Sequence, residues 1–414
     1  MIEATPHTAE YFEELVRNQV VEDGHELSVI NLGPIHPATH GVFQNVLLVD
    51  GDTILDAEIT VGYIHRAFEK IAENRAFYQI TPLTDRMNYC SAPINNMAWW
   101  MTVEKCFDIG IPKRVQYMRV IIMELARISD HIICNGILGV DAGAYSGFLY
   151  VMKYRELIYE IYEEICGGRL TTNIGRIGGF ERDWSKAAWE KLDRFLHEFP
   201  KAWDELEGLF IRNRIFMDRT IGVGTISAEK AMNYGLTGPN LRATGIDYDV
   251  RIASPYCSYE DFDFDIPVGK SGDTYDRWCV RCGEVKESMK IIRQALSKLR
   301  NMEEGVFHAE LPEYYLPPKE EVYTEMEALI NHFKIVMGEV PVPTAEIYHA
   351  VEAANGELGM YLITNGSRTP YRLHFRRPCF IYYQAFPEMI KGQTISDAVL
   401  TLSSLNVIAG ELDA

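Results

Sequence analysis

The sequence lacks any apolar run long enough to cross a bilayer. Its best candidate, Val120–Val140, is interrupted by Glu124, Arg127, Asp130, His131 and Asn135, whereas a spanning helix needs about 18 or more apolar residues with few charges. It also lacks positive charge. Lys and Arg total 40 against 59 Asp and Glu, a formal net charge of −19 at pH 7, and no basic patch interleaved with aromatics offsets this, which argues against a general nucleic-acid binder. Low-complexity linkers and internal repeats are absent. The glycine cluster Gly167–Gly179 does not follow a strand with GxGxxG spacing, so it is no nucleotide fingerprint. Met1–Asp23 is acidic and has no apolar core, so neither a secretory leader nor a basic mitochondrial one is expected. The eight cysteines, at 90, 106, 134, 166, 257, 279, 282 and 379, are therefore read as free thiols in a reducing compartment.

What is present is an ordinary globular composition over 414 residues, 47% hydrophobic and 24% charged, enough for one large domain or several smaller ones. Residues 1–26 hold seven acidic side chains against Arg17 alone and read as a peripheral extension. Leu27–Asn31, Val42–Val49 and Thr53–Ile59 read as an antiparallel unit turned at Asp50-Gly51-Asp52. From 62 to 337 the period is mainly helical. Ala92–Phe107 and Tyr145–Cys166 are two helices, and Val115, Met118, Ile122, Leu125, Ile128 and Ile132 form a core-facing stripe on a third. Pro82 should close the first helical region. Trp184–Phe199 and Lys201–Arg214 are two helices or one kinked at Pro200. Arg277–Arg300 and Val322–Met337 add two more, and Gly238–Gly269 reads as ordered loop with short strands. In 357–414 strand character returns, with Glu357–Thr364 and Tyr371–Arg377 flanking a hairpin signal at Asn365-Gly366-Ser367. The expectation is α+β: a single domain over 27–414, a helical bundle between β units whose ends meet in space.

Three segments carry candidate chemistry. Asn31–Gly41 (NLGPIHPATHG) holds His36 and His40 between prolines that keep it out of helix, so the two are not a helical metal-binding pair. Imidazole is suited to proton transfer near neutrality, although on these residues alone a rigid turn with histidines bonded to local backbone is the simpler reading. Thr84–Cys90 presents Tyr89 at a helix entrance, either as core cover or as a proton donor with an ordinary pKa of about 10. Leu138–Ala144 presents Asp141, either capping the next helix or orienting an imidazole. Cys279-Val280-Arg281-Cys282 lacks a second ligand pair and reads as packing rather than metal. Arg368, Arg372, Arg376 and Arg377 form a basic run, either a solvated strand edge or a surface for an acidic partner.

Asn31–Gly41 with Val42, His65-Arg66, Thr84–Tyr89, Asp263–Arg281 (including Pro267-Val268-Gly269 and Tyr275-Asp276-Arg277) and Tyr361–Arg372 together resemble, in order, the D-subunit family of respiratory complex I. The likeness runs from about residue 26 onward. It implies the fold of the nickel–iron hydrogenase large subunit, a helical bundle with β structure at its ends. Hydrogenases hold their metals with two CxxC motifs. Here Tyr89-Cys90 stands in the first region and no cysteine follows Cys379, so the resemblance implies no metal and no cofactor bound by this chain alone.

What the family implies instead is a quinone pocket shared with the iron–sulfur B subunit. Carried over by position, His40 and Tyr89 match the residues that hold the quinone headgroup, Asp141 matches the carboxylate partnering the histidine, and His36 shares its loop. Arg86 matches an arginine near the B subunit's terminal 4Fe–4S cluster. The implied activity is NADH:quinone oxidoreduction coupled to proton translocation, in a peripheral arm on the cytoplasmic side of a bacterial inner membrane. The B, C and I subunits and the membrane-embedded H subunit are the implied partners. The alternative is a related complex fed by ferredoxin or reduced deazaflavin. Thr171 stands where many relatives place a histidine near the cluster, which implies a cluster potential nearly independent of pH and favours menaquinone over ubiquinone.

Overall fold

A computed structural model describes residues 27–338 and 340–414; the acidic extension read at 1–26 lies outside them. Strands β1 (Leu27–Leu32), β2 (Gln44–Asp50) and β3 (Thr53–Thr60) form an antiparallel sheet in that order, with Leu27 opposite Asp50 and Val46 opposite Glu58. The loop between β1 and β2 is stiff for the expected reason. Its only helical geometry is one 3-10 turn, Pro37–Thr39. Gly33 has φ +102, and a Cβ there would lie 2.6 Å from the Phe43 carbonyl and 2.7 Å from Thr39 Oγ1, so only glycine lets the loop fold back on itself.

The middle is helical. Lys113–Asp141 is the axis, packed mainly against Thr274–Leu299 and Tyr145–Cys166. Its stripe Val115, Met118, Ile122, Leu125, Ile128 and Ile132 is wholly buried, as the periodicity predicts. Pro200 does not divide the chain: Lys186–Phe210 is one helix, capped by Ser185. The apolar face of Phe195, Phe199, Trp203 and Leu206 runs unbroken past it, with Phe195 and Phe199 stacked at 4.8 Å, and that burial outweighs one missing backbone donor. Pro82 likewise lies inside the helix Phe77–Thr84. In contrast, the helix expected over 322–337 breaks at Glu325 into Lys319–Thr324 and Met326–Met337.

Gly238–Gly269 contains no strands, contrary to expectation. It forms short helices at Gly238–Arg242 and Val250–Ala253 and a 3-10 turn at Tyr259–Asp261. Buried charge decides this. Arg242 pairs with Glu284 (2.6 Å) and Glu352 (2.8 Å), while Arg251 pairs with Asp249 (2.7 Å) and Glu124 (3.2 Å). Asp249 also caps the second helix by accepting the Arg251 amide. Burial alone would raise the Glu284 carboxyl, but Arg242 and His131 hold it well below the usual range, because a buried charge is tolerated only when it is paired.

The second sheet is β4 (Thr344–Ala353), β5 (Gly356–Asn365) and β6 (Arg372–Arg376). The hairpin β5–β6 lies where the sequence signals it; β4 is an addition. Arg368 and Arg372 stay exposed at or just before the edge strand β6, as the solvated-edge reading has it, while the other members of the basic run are taken up by the fold. Arg372 is spent on Glu69 and Glu73, both at 2.8 Å. Arg376 donates to the carbonyls of Glu357 and Gly235, and Arg377 to that of Ala414. The two ends do meet. Ile54 N donates to the Gln393 carbonyl at 2.8 Å, and Asp413 accepts the amides of Gly62 (3.0 Å) and Ile64 (2.8 Å). Among the described residues no helix is long and apolar enough to cross a membrane.

Candidate functional site

The ends converge on a cavity of about 600 Å³ beside the last turn of the long helix, within the size range of small-molecule sites. Six segments far apart in sequence line it. The Pro37–Thr39 turn contributes Pro37, Ala38 and His40, and the entrance to the Ala92–Cys106 helix contributes Tyr89 and Cys90. Asp141 projects from the end of the Lys113–Asp141 helix, and Ser403 and Asn406 come from the C-terminal segment. Ile133, Ile137, Leu170, Leu402 and Val407 give the wall its apolar area. Three candidates from the sequence, His40, Tyr89 and Asp141, therefore face one space.

Each is held by local chemistry. His40 follows the 3-10 turn in the left-handed region, φ 53, so the chain turns sharply there and leaves the imidazole accessible. Tyr89 is set by Asn88, whose Oδ1 accepts the amides of Cys90 (3.1 Å) and Ser91 (3.4 Å) and whose Nδ2 donates to Asp130 at 2.9 Å. Burial pushes the Tyr89 phenol up to about 12, with Cys90, Cys379 and Asp130 adding to it. At neutral pH it is thus a neutral hydroxyl able to donate.

Asp141 does not cap the following helix, whose N-cap Ala144 has no side-chain bond. Its carboxylate instead accepts the Ser403 hydroxyl. Although Asp141 opens onto the cavity, the protein around it removes hydration and raises its carboxyl above the ordinary range; Ser403, His40 and His36 act in the opposite direction. Hence the two imidazoles lie within electrostatic reach of this carboxylate.

The remaining candidates fall outside the cavity wall. His36 caps its own turn, Nδ1 accepting the Ala38 amide at 3.1 Å, which is the local-backbone role. Arg86 is half exposed, donates to the Pro82 carbonyl at 2.9 Å and lies 3.8 Å from Asp85. Thr171 is exposed, just past the lining residues Arg169 and Leu170. Cys282 is buried and receives Asn135 Nδ2 at 3.3 Å, so the CxxC pair packs as expected, and among the described residues no group of three or more His, Cys, Asp or Glu is placed to hold a metal ion. A larger cavity, about 1030 Å³, is lined by Phe77, Trp100 and Tyr315 and by none of the candidates.

Sequence reasoning missed Ser403, Asn406, Arg155 and Tyr159, all in the cavity wall. A serine inside a regular helix gives no local sign that it faces a carboxylate more than two hundred residues away.

Comparison with known proteins agrees with this architecture. Residues 141–414 match the family described as respiratory-chain NADH dehydrogenase, 49 Kd subunit. A protein of Flavobacterium psychrophilum, named as the D subunit of NADH-quinone oxidoreductase, is 75% identical, with 97% of each chain covered. One of the same name from Leptospira biflexa is 52% identical over 98% of each. A Bdellovibrio bacteriovorus protein, named as the C/D subunit of that enzyme, is 44% identical over 93% of this chain and 68% of its own length. The chain belongs to the D-subunit family of NADH-quinone oxidoreductase, a relative of the hydrogenase large subunit, and is an oxidoreductase component of complex I.

Proposed function

We propose that this chain, as the D subunit, forms with the iron–sulfur B subunit the site where quinone is reduced, in a reaction coupled to proton translocation. The observation that carries the reading is the facing of His40, Tyr89 and Asp141 into one cavity with an apolar wall. Reduction of a quinone to a quinol takes two electrons and two protons. Negative charge develops on its carbonyl oxygens, and donors aimed at them stabilise the reduced state. Tyr89, kept neutral, and His40 are such donors. Asp141, in electrostatic reach of the imidazole, orients it and helps return its proton. The apolar wall suits a ring and its hydrocarbon tail.

Electrons come from the 4Fe–4S cluster of the B subunit, beside which a cationic Arg86 would favour the reduced state. NADH as the source, rather than ferredoxin or deazaflavin, accords with the names of the relatives. A relative in which C and D are one chain supports the C subunit as a partner; the I and H subunits complete the expected surroundings. The chain would sit peripherally at the cytoplasmic face of a bacterial inner membrane, anchored by partners. With Thr171 in place of histidine, menaquinone is the favoured acceptor. The test is quinone reductase turnover of the assembled complex carrying H40A, Y89F or D141N. Unchanged turnover in all three would reject the site.

A further inference from the structure

Behind the cavity wall two carboxyl groups are buried side by side. Asp130 is 0% exposed and Glu411 2%, and neither forms an ion pair with any described residue. Two amides connect them. Asn406 Nδ2 donates to Asp130 Oδ1 and to Asn355 Oδ1, both at 2.6 Å, and Asn355 Nδ2 reaches Glu411 Oε2 at 3.5 Å. The two acids are not equally supported. Asp130 receives short bonds on both oxygens, the second from Asn88 Nδ2 at 2.9 Å. Glu411 has the Cys379 amide at 3.1 Å, the weak thiol donor of the same residue, and that long amide contact. A buried carboxylate stays ionised in proportion to the donors it receives, so of the pair Glu411 is the one that accepts a proton.

The pair is tied to the cavity through its wall. Asn406 and Cys90 both line the cavity. Asp130 acts on the Tyr89 phenol, and both acids act on the Cys90 thiol. We propose that Asp130 and Glu411 together hold one exchangeable proton, carried on Glu411, whose uptake answers negative charge appearing in the cavity. The proposal rests on the quinone-site reading. When the bound ring gains charge, a solvent hydronium ion gives its proton to a Glu411 oxygen and becomes water, forming a carboxyl O–H bond with no electron transferred to the side chain. The groups facing the pair are Cys379 and Tyr382 from the helix Pro378–Gln384, Arg377 just before it, Tyr89 and Cys90, His131 and Cys134 on the helix that carries Asp130, and buried Arg281 from the helix Thr274–Leu299, which acts on Tyr382, His131 and Cys134. Of the two cations, Arg377 donates to the Ala414 carbonyl and Arg281 to Asn240 Oδ1 at 3.1 Å, and neither pairs with Glu411. Burial, with Asp130 adding to it, pushes the Glu411 carboxyl up to about 7, which agrees with the geometry.

The experiment is infrared difference spectroscopy of the purified whole complex, in wild type and E411Q, across pH and across quinone reduction. The expected result is a protonated-carboxyl component, separate from that of Asp85, that titrates near neutrality, grows on quinone reduction, and is absent from E411Q. The alkaline limb of quinone reductase activity should move by about one pH unit in E411Q, with E411D restoring both. A band and a pH profile unchanged in E411Q would overturn the proposal. If E411Q does not assemble, the wild-type spectrum decides: no band, or a band indifferent to quinone reduction, overturns it. Failure of the site itself reads differently, because Y89F and H40A would then keep full turnover while the carboxyl titration persists.

Discussion

The hydroxyl of Ser403 donates to the carboxylate of Asp141, joining the helix Ile395–Leu405 to the end of the longest helix among the described residues, Lys113–Asp141. This bond opposes the loss of hydration that raises the Asp141 carboxyl. Removing it by S403A should raise that carboxyl further. Because the site is open to water the shift should be small. The acid limb of quinone reductase activity should then move to higher pH, S403T should restore it, and a pH–rate profile of the complex measures both.

Tyr89 and Asp141 act on the same ring in the proposed site, so Y89F and D141N should each lower turnover by about tenfold or more. Assembly should be retained, since Y89F keeps the ring that packs against the core and Asp141 lies outside it. Turnover and subunit content, measured on the same membranes, separate the two effects.

Asp85 is wholly buried and its carboxyl is pushed up to about 7, mainly by burial, against the amide of Asn173 and the Asn96 side chain. A folded value above the unfolded one, about 3.9, means the neutral form is favoured. Its contribution to stability is complete below about pH 4 and is lost as pH rises through about 7. Calorimetry of the complex should show this subunit less stable at alkaline pH, and D85N should reduce that dependence.

Gly410 rests directly on the turn that presents Tyr89. A Cβ there would lie 2.6 Å from the Met87 carbonyl and closer still to that of Arg86, both backbone atoms that yield little. G410A should cost about 1–3 kcal/mol and displace the C-terminal wall of the cavity. Lower thermal stability together with weaker quinone binding is the expected outcome.

Thr171 carries no titratable proton. The potential of the partner's cluster should therefore vary little with pH in the wild type, and T171H should introduce a pH dependence in the neutral range. Redox titration followed by electron paramagnetic resonance at several pH values checks it.

Much of the architecture follows from local signals. The prolines around His36 and His40 exclude helix by sterics alone, and the stripe from Val115 to Ile132 needs only the helical period. What local signals cannot weigh is competition between distant terms. Pro200 is tolerated because an apolar face continues past it. Gly238–Gly269 turns helical because buried carboxylates on other segments pair its arginines. The basic run Arg372–Arg377 is consumed by Glu69, Glu73 and backbone carbonyls that only folding brings near. For the site, sequence supplies an imidazole, a phenol and a carboxylate. Their meeting depends on tertiary contacts such as Asp413 accepting the amides of Gly62 and Ile64 and the close seating of Gly410. Those same contacts bring Ser403 and Asn406 to the cavity and Glu411 behind its wall, because proximity across hundreds of residues is a property of packing and leaves no period or spacing in the chain.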